Sequence, residues 1–303
     1  YDGDRGAEHG GSPGDVARTL GEPRATEQRG CADPLARIGS PCDHAPMFLA
    51  SALLAASVAI PSGIATHDDG RAPIESIYRT ALSLVERGWT AEVVAESAPE
   101  GTESPLPILA LRSPKAGPAV WILSGIHGEE PAGPNAIATA IENIARLGAE
   151  RPVVLLPLLN PQGYARNWRY LNVATYSEEV DGHSVGDSSH LLPSPDDPAR
   201  PRSPAASSPE AAAITAWILA RQADYPAVIS LDLHEDNLID EGYVYSQGVH
   251  GAKEELAITA VGVLRDAGVP IKMDGRTRFD EPVSRGIIGP VTDSSIDELM
   301  SAR

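Results

Sequence analysis

The segment Ser124–Gly133, SGIHGEEPAG, sets His127 and Glu130 three residues apart. That spacing puts an imidazole and a carboxylate on one turn, close enough to share an ion, and Gly125 and Gly128 leave the backbone free to bend around it. A second imidazole, His234, stands in the run LDLHED. Two imidazoles and a carboxylate suffice to hold a tetrahedral zinc with its fourth position left to water. The chemistry such a centre supports is hydrolysis by metal-activated water. The only cysteines are Cys31 and Cys42, so a metal elsewhere must use His and carboxylate ligands, and a disulfide framework is excluded. Taken singly, each piece has a plainer reading: a hydrogen-bonded strand-end histidine, or a solvated turn in which Glu129 sits beside Glu130. Their placement at the ends of two apolar strands argues for a site.

Strands are expected at Glu92–Glu96, Pro107–Leu111, Pro118–Ser124, Pro152–Leu159 and Ala227–Leu233. One helical face is made by Ile74, Ile77, Ala81, Leu84 and Val85, with Pro73 in the first turn and Gly88 as the stop. A second runs through Ile137, Ile141, Ile144 and Leu147. A third, capped by Ser208 with Pro209 following, buries Ile214, Trp217 and Ile218. A fourth carries Leu256, Ala260, Val261 and Leu264 and stops at Gly268. This alternation predicts one α/β domain over residues 71–303, a sheet covered by helices on both faces. In such sheets ligands collect beyond the carboxyl ends of the strands, where His127 and His234 stand. Between Tyr170 and Ser208 periodicity is lost, and a loop of that length is more often functional than filler.

Residues 1–70 are Gly-, Pro- and Ser-rich and aperiodic, and are expected to be a disordered leader or untranslated upstream sequence. Their one apolar stretch, Met47–Ile60, is short enough for a secretory signal but has no basic start, so a cytoplasmic location is favoured over secretion. No apolar run is long enough to span a bilayer. With 24 basic and 42 acidic side chains, a net charge of −18, the chain is not a general nucleic-acid binder.

The His127-x-x-Glu130 element, the segment NPQGYARNWRYLN from Asn160 to Asn172, and His234 together resemble the zinc carboxypeptidase superfamily, which includes deacylases of the succinylglutamate desuccinylase and aspartoacylase type. The resemblance covers about residues 90–250. It implies a three-layer α/β/α fold with a mixed, mostly parallel, twisted sheet of about eight strands. It implies Zn2+ held by His127, Glu130 and His234, and Arg169 as the arginine that polarises the scissile carbonyl and holds the oxyanion. Arg166 is the alternative if the register is three residues off. Asp187 matches a residue that accepts the far N–H of a ligand imidazole. Ser189 and His190 stand where carboxypeptidases use an Asn-Arg pair to grip a peptide's terminal carboxylate, a departure that puts ordinary C-terminal specificity in doubt. Substrate contact then falls to His190 or to Arg276, Arg278 and Arg285.

The family's general base, a Glu on a late strand, has no counterpart after Gly289. Glu281, in a loop, and Glu298, helical and exposed by its pattern, are the carboxylates available, and the chain is expected to stop before the family's last strand. The expectation is a zinc metallocarboxypeptidase-like hydrolase cleaving a peptide or amide bond in a small peptide. The alternatives are a deacylase of N-acylated amino acids and a metal-binding but catalytically impaired relative. Gly186-Asp187-Ser188 matches a serine-esterase nucleophile block, but it lies in an aperiodic loop without the required strand-turn-helix context.

Overall fold

The computed structural model describes residues 58, 60–64, 66–98, 104–171, 187–236 and 239–301, all within the unit His44–Arg303. Most of residues 1–70, including most of Met47–Ile60, lies outside the described residues, as do Asn172 and Gly186; Val58, Ile60 and Ile64 from the end of that stretch pack against the core.

Pro73 precedes helix α1, Ile74–Leu82, which buries Ile74, Ile77, Tyr78 and Ala81. A 3-10 turn over Ser83–Arg87 extends it to Gly88, whose φ of 83° is the left-handed stop that glycine favours. The antiparallel pair β1, Thr90–Ser97, and β2, Leu106–Arg112, comes next. Strand β3, Ala119–Ser124, leads into helices α2, Ala132–Thr139, and α3, Ile141–Glu150. Sequence periodicity reads these two as one helix. The break falls at Ala140, φ −90° and ψ 8°, one residue after Thr139, whose hydroxyl donates to Asn135 O at 2.8 Å and so competes with the helical ladder. Strand β4, Val153–Leu156, is shorter than expected because Pro157 can donate nothing to the ladder. Helix α4, Pro161–Arg166, and helix α5, Pro209–Arg221, precede strand β5, Ala227–Leu233. The cap of α5 is the expected one, Ser208 accepting from Ala211 N at 3.0 Å.

The main sheet runs β1-β2-β4-β3-β5. Its β1/β2 and β2/β4 pairings are antiparallel, and its β4/β3 and β3/β5 pairings parallel. Among the described residues, the expectation of about eight, mostly parallel strands in one sheet is therefore corrected to five strands with balanced pairing. After β5 the chain forms β6, Val244–Tyr245, helix α6, Glu255–Asp266, then β7, Asp274–Arg276, β8, Pro282–Ser284, and β9, Ile287–Ile288. These short strands make their own sheet, β6-β9-β8-β7. Runs of two or three residues broken by Pro282 and Gly286 are too short to extend the main sheet. Helix α6 also buries Ala257 and Val261, not the Leu256 side of its expected face, since Leu256 is exposed. Helix α7, Ile296–Ser301, ends the described chain.

The core follows the two-residue period of β3. Val120 and Ile122 pack with Ile74 and Ile77 of α1, Ile137 of α2 and Ile144 of α3. Trp121 and Leu123 pack with Ala211, Ile214 and Ile218 of α5 and with Ile296 and Met300 of α7. Each such side chain, fully buried, contributes about 1.5–3 kcal/mol. The carboxyl end of β3 is thus fixed from both sides. Among the described residues no helix is long and apolar enough to cross a membrane.

Candidate metal centre

The parallel register pairs Ser124 of β3 with Leu233 of β5, so the residues that follow each strand emerge side by side. Gly133 lets helix α2 press onto that edge. A Cβ there would lie 2.5 Å from both Leu233 O and Ser124 Oγ. Gly125, φ 65°, turns the chain away from β3 toward His127.

The turn carrying His127 is locked to helix α4. Asn160 Oδ1 caps α4 by accepting from Gly163 N at 2.8 Å. Its amide nitrogen donates to Ile126 O and to Arg169 O, both at 3.2 Å. Gly128 N also donates to Arg169 O, at 3.3 Å. The approach is so close that a Cβ on Gly128 would lie 2.1 Å from Gly163 C and 2.4 Å from Trp168 O. Arg71, fully buried, closes the same junction. Its guanidinium donates to Gly128 O at 3.2 Å, to Tyr164 O and to Asn167 Oδ1 at 2.6 Å, and it pairs with Asp69. That pairing pulls the Asp69 carboxyl down to about 2. The Asn-Pro-x-Gly-Tyr element is therefore a structural bracket: Asn160 caps, Pro161 starts the helix, and Gly163 leaves room.

On this bracket the polar groups converge. His127 Nδ1 lies 2.9 Å from Glu130 Oε1, and His234 Nδ1 lies 2.9 Å from Glu130 Oε2. Glu235 N adds a bond to Glu130 Oε2 at 3.1 Å, and the two imidazole rings stand 4.9 Å apart, centroid to centroid. Arg169 donates from one nitrogen to Glu129 Oε1 and to Glu130 Oε1, each at 2.7 Å, while its Nε is buried without a partner among the described residues. Burial opposes ionisation of Glu130, but the bonds from His127 and His234 win and hold its carboxyl far below the usual range. Burial likewise disfavours a His234 cation, yet Asp232, whose Oδ2 is 3.3 Å from Nε2, and Glu130 raise its pKa well above the ordinary imidazole value.

His127, Glu130 and His234 each offer a donor atom within 4.8 Å of the others, a group that could hold a metal ion. The donor set, two imidazole nitrogens and a carboxylate kept ionised, suits zinc.

Of the residues singled out in the sequence, the structure brings His127, Glu130, His234 and Arg169 together. Arg166 ends α4, and the contacts to Glu129 and Glu130 are made by Arg169. Asp187 is buried and its carboxyl is pushed up by that burial, with the nearby His127 charge opposing. It accepts from Ser207 Oγ at 3.4 Å, and among the described residues no hydrogen bond joins it to either ligand imidazole. Ser189 accepts from Ser203 N through its backbone carbonyl. His190 Nε2 lies 3.4 Å from Thr215 Oγ1, on α5. Glu298 is not exposed as its pattern suggested: it is buried against Arg202 in a two-point ion pair and accepts from Ser294 N at 2.7 Å. Glu281 accepts from Tyr245 and Thr277 in the loop after β7. Arg276 pairs with Asp280 and Arg285 donates to Ala252 O, while Arg278 reaches Asp236, two residues past His234, at 3.7 Å.

Three contributors were passed over in the sequence. Glu129 is no solvated turn residue but the second anchor of Arg169. Asp232 had a signal, since it precedes His234 by two and so shares its side of the strand. Arg71 had none, because nothing local marks a guanidinium that bonds residues 57 and 93 positions away.

Residues 116–188 match the succinylglutamate desuccinylase/aspartoacylase catalytic domain. No curated protein matches the chain by sequence. Among solved structures it is similar to a "putative metallopeptidase" of Shewanella amazonensis SB2B, at 24% identity and a TM-score of 0.54 over 75% of this chain and 79% of that one. A protein of the same description from Shewanella denitrificans OS217 gives 22% identity and a TM-score of 0.56 over 76% and 77%. The chain thus resembles the succinylglutamate desuccinylase/aspartoacylase catalytic domain over residues 116–188 and the Shewanella structures in fold. The solved structures carry that likeness through the fold. The matched domain spans β3, the His127 turn, β4 and the Asn160–Arg169 bracket, and ends before β5 and His234.

Proposed function

We propose that the protein is a zinc-dependent hydrolase of a peptide or amide bond in a small peptide, with zinc held by His127, Glu130 and His234. The observation that carries this reading is the convergence of both imidazole Nδ1 atoms on the two oxygens of one buried carboxylate, each at 2.9 Å, beside a half-buried arginine. A bound zinc supplies Lewis acidity and lowers the pKa of its water toward about 7.

The chain's own groups supply the rest. Glu130, kept ionised, offers a charged ligand at neutral pH. Asp232 holds His234 by Nε2, which leaves Nδ1 turned to Glu130 and fixes the imidazole's orientation. Arg169 cannot lose its proton, and its unpartnered buried Nε is a donor for the oxygen on which negative charge develops. Asn160 and Gly128 fix the Arg169 carbonyl while Glu129 and Glu130 fix its guanidinium, so little reorganisation accompanies the reaction.

A second reading, a deacylase of N-acylated amino acids, is favoured by the matched catalytic domain. One assay separates the two: release of a C-terminal amino acid from short peptides against release of the acyl group from N-acyl amino acids, each with and without EDTA. Turnover of either substrate that EDTA abolishes and zinc restores supports the metallohydrolase. Turnover indifferent to EDTA overturns it. The chain is not expected to bind nucleic acid, and its acidic surface disfavours acidic macromolecules at long range.

A further inference from the structure

Behind His234, on the side away from Glu130, lies a second group of donors: Asp232 of β5, His234 and Asp297 of α7 each place one ligand atom within 4.8 Å of the others. Asp232 is 4% exposed, and its Oδ1 has no hydrogen-bond partner among the described residues. Its other oxygen stands 3.3 Å from His234 Nε2, longer than the 2.7–2.9 Å usual for a charge-assisted bond. Two carboxylates brought together, the Asp232 side chain almost wholly out of water with an unsatisfied oxygen and Asp297 half-buried, call for a positive charge between them. His234 meets this pair through Nε2 only, which faces Asp232 Oδ2 and leaves Asp232 Oδ1 without a partner among the described residues.

We propose that Asp232, Asp297 and His234 Nε2 form a second divalent-cation site, adjoining the first and sharing His234 with it. Two carboxylate oxygens and an imidazole nitrogen suit a borderline ion such as zinc or manganese. The proton balance is simple. Were both groups to hold an ion, Nδ1 would serve the first and Nε2 the second, and the ring's remaining proton would pass to water. The site shares His234, and the Asp232 that orients it, with the hydrolase reading; Asp297 belongs to the second site alone and His127 to the first alone, so variants of those two tell the readings apart.

The test is a count. The chain, stripped with a chelator, is dialysed against rising zinc, and bound metal is measured by elemental analysis for the unaltered protein, Asp297→Asn and His127→Ala. Two ions per chain at saturation are expected, with one remaining in Asp297→Asn and one in His127→Ala. Saturation of the unaltered chain at one ion overturns the second site, and so does an Asp297→Asn variant that still binds two. These readings hold even if a variant fails to fold, because the count on the unaltered chain decides. One ion that His127→Ala removes and Asp297→Asn keeps leaves the hydrolase reading standing and the second site rejected.

Discussion

The two histidines that face Glu130 come from strand ends of opposite character. Every residue of β3 is buried, and the side chain of His127 is 12% exposed in a turn bound by Asn160, Arg71 and the Arg169 carbonyl. Strand β5 is the sheet's edge, mostly half-buried with Val228 exposed, and His234 at its end is 37% exposed. His127, Glu130 and Arg169 are therefore preset by packing. His234 is set by its polar contacts to Glu130 and Asp232. A site with one rigid arm and one arm held by electrostatics should lose its shape by different routes on the two sides.

The largest effect is expected from filling the rigid arm. Gly128→Ala would put a methyl 2.1 Å from Gly163 C and 2.3 Å from Tyr164 N, backbone atoms that cannot step aside. The loss should exceed about 4 kcal/mol, the range reserved for severe overpacking or strain. On the outer helix, Gly268→Ala meets nothing within 4 Å and should cost only about 1 kcal/mol, for its φ of 82°. Denaturant unfolding of both variants checks the contrast. Equal losses would mean that the bracket is not rigid.

The sequence made the rigid arm legible and the soft one less so. Strands β1 to β5, the α5 cap and the His127-x-x-Glu130 turn could be read directly, because each rests on a local pattern: apolar runs, Ser208-Pro209, closely spaced ligands. The small sheet β6-β9-β8-β7 has no such pattern, since strands of two or three residues carry no period. Glu298 was misread for a related reason. Its helix is polar at that position, and only the distant Arg202 makes burial tolerable. Arg71 and Asp297 act across long sequence separations, and single-sequence periodicity is blind to them.

Among polar changes, Arg169→Ala should be the most costly to turnover and the least to metal content. Removing one preorganised donor from a developing oxyanion typically lowers kcat about 10²–10³-fold. Parallel elemental analysis should find the metal retained, because Arg169 touches Glu129 and Glu130 but offers no ligand atom. Loss of metal with Arg169 would show that it holds Glu130 in place and is not confined to stabilising charge.

Asp232→Asn probes the soft arm in the same way. Replacing the partner of a ligand imidazole usually weakens metal binding about 10–100-fold. A competition titration with a chromophoric chelator measures that shift. An unchanged affinity would mean that Glu130 alone orients His234, which would make the two arms more alike than their burial suggests.

The smallest effect belongs to the outermost tie of the rigid arm, the Asp69 to Arg71 pair. Asp69 is lowered to about 2 in the folded chain, chiefly by the Arg71 hydrogen bond, against about 3.9 when unfolded. Its contribution is fully present above the unfolded value and drains away as pH falls through the folded one. Thermal unfolding followed from pH 5 to pH 2 should therefore show a loss between about pH 4 and pH 2 that Asp69→Asn lacks. The variant should be the less stable at pH 5 and draw level with the native chain near pH 2. Because Asp69 is about one-third exposed, solvent screens the pair and the difference at pH 5 should be small, of the order seen for surface ion pairs. Two curves that stay parallel down to pH 2 would mean that Arg71 braces the His127 turn through Gly128, Tyr164 and Asn167 without help from its carboxylate partner.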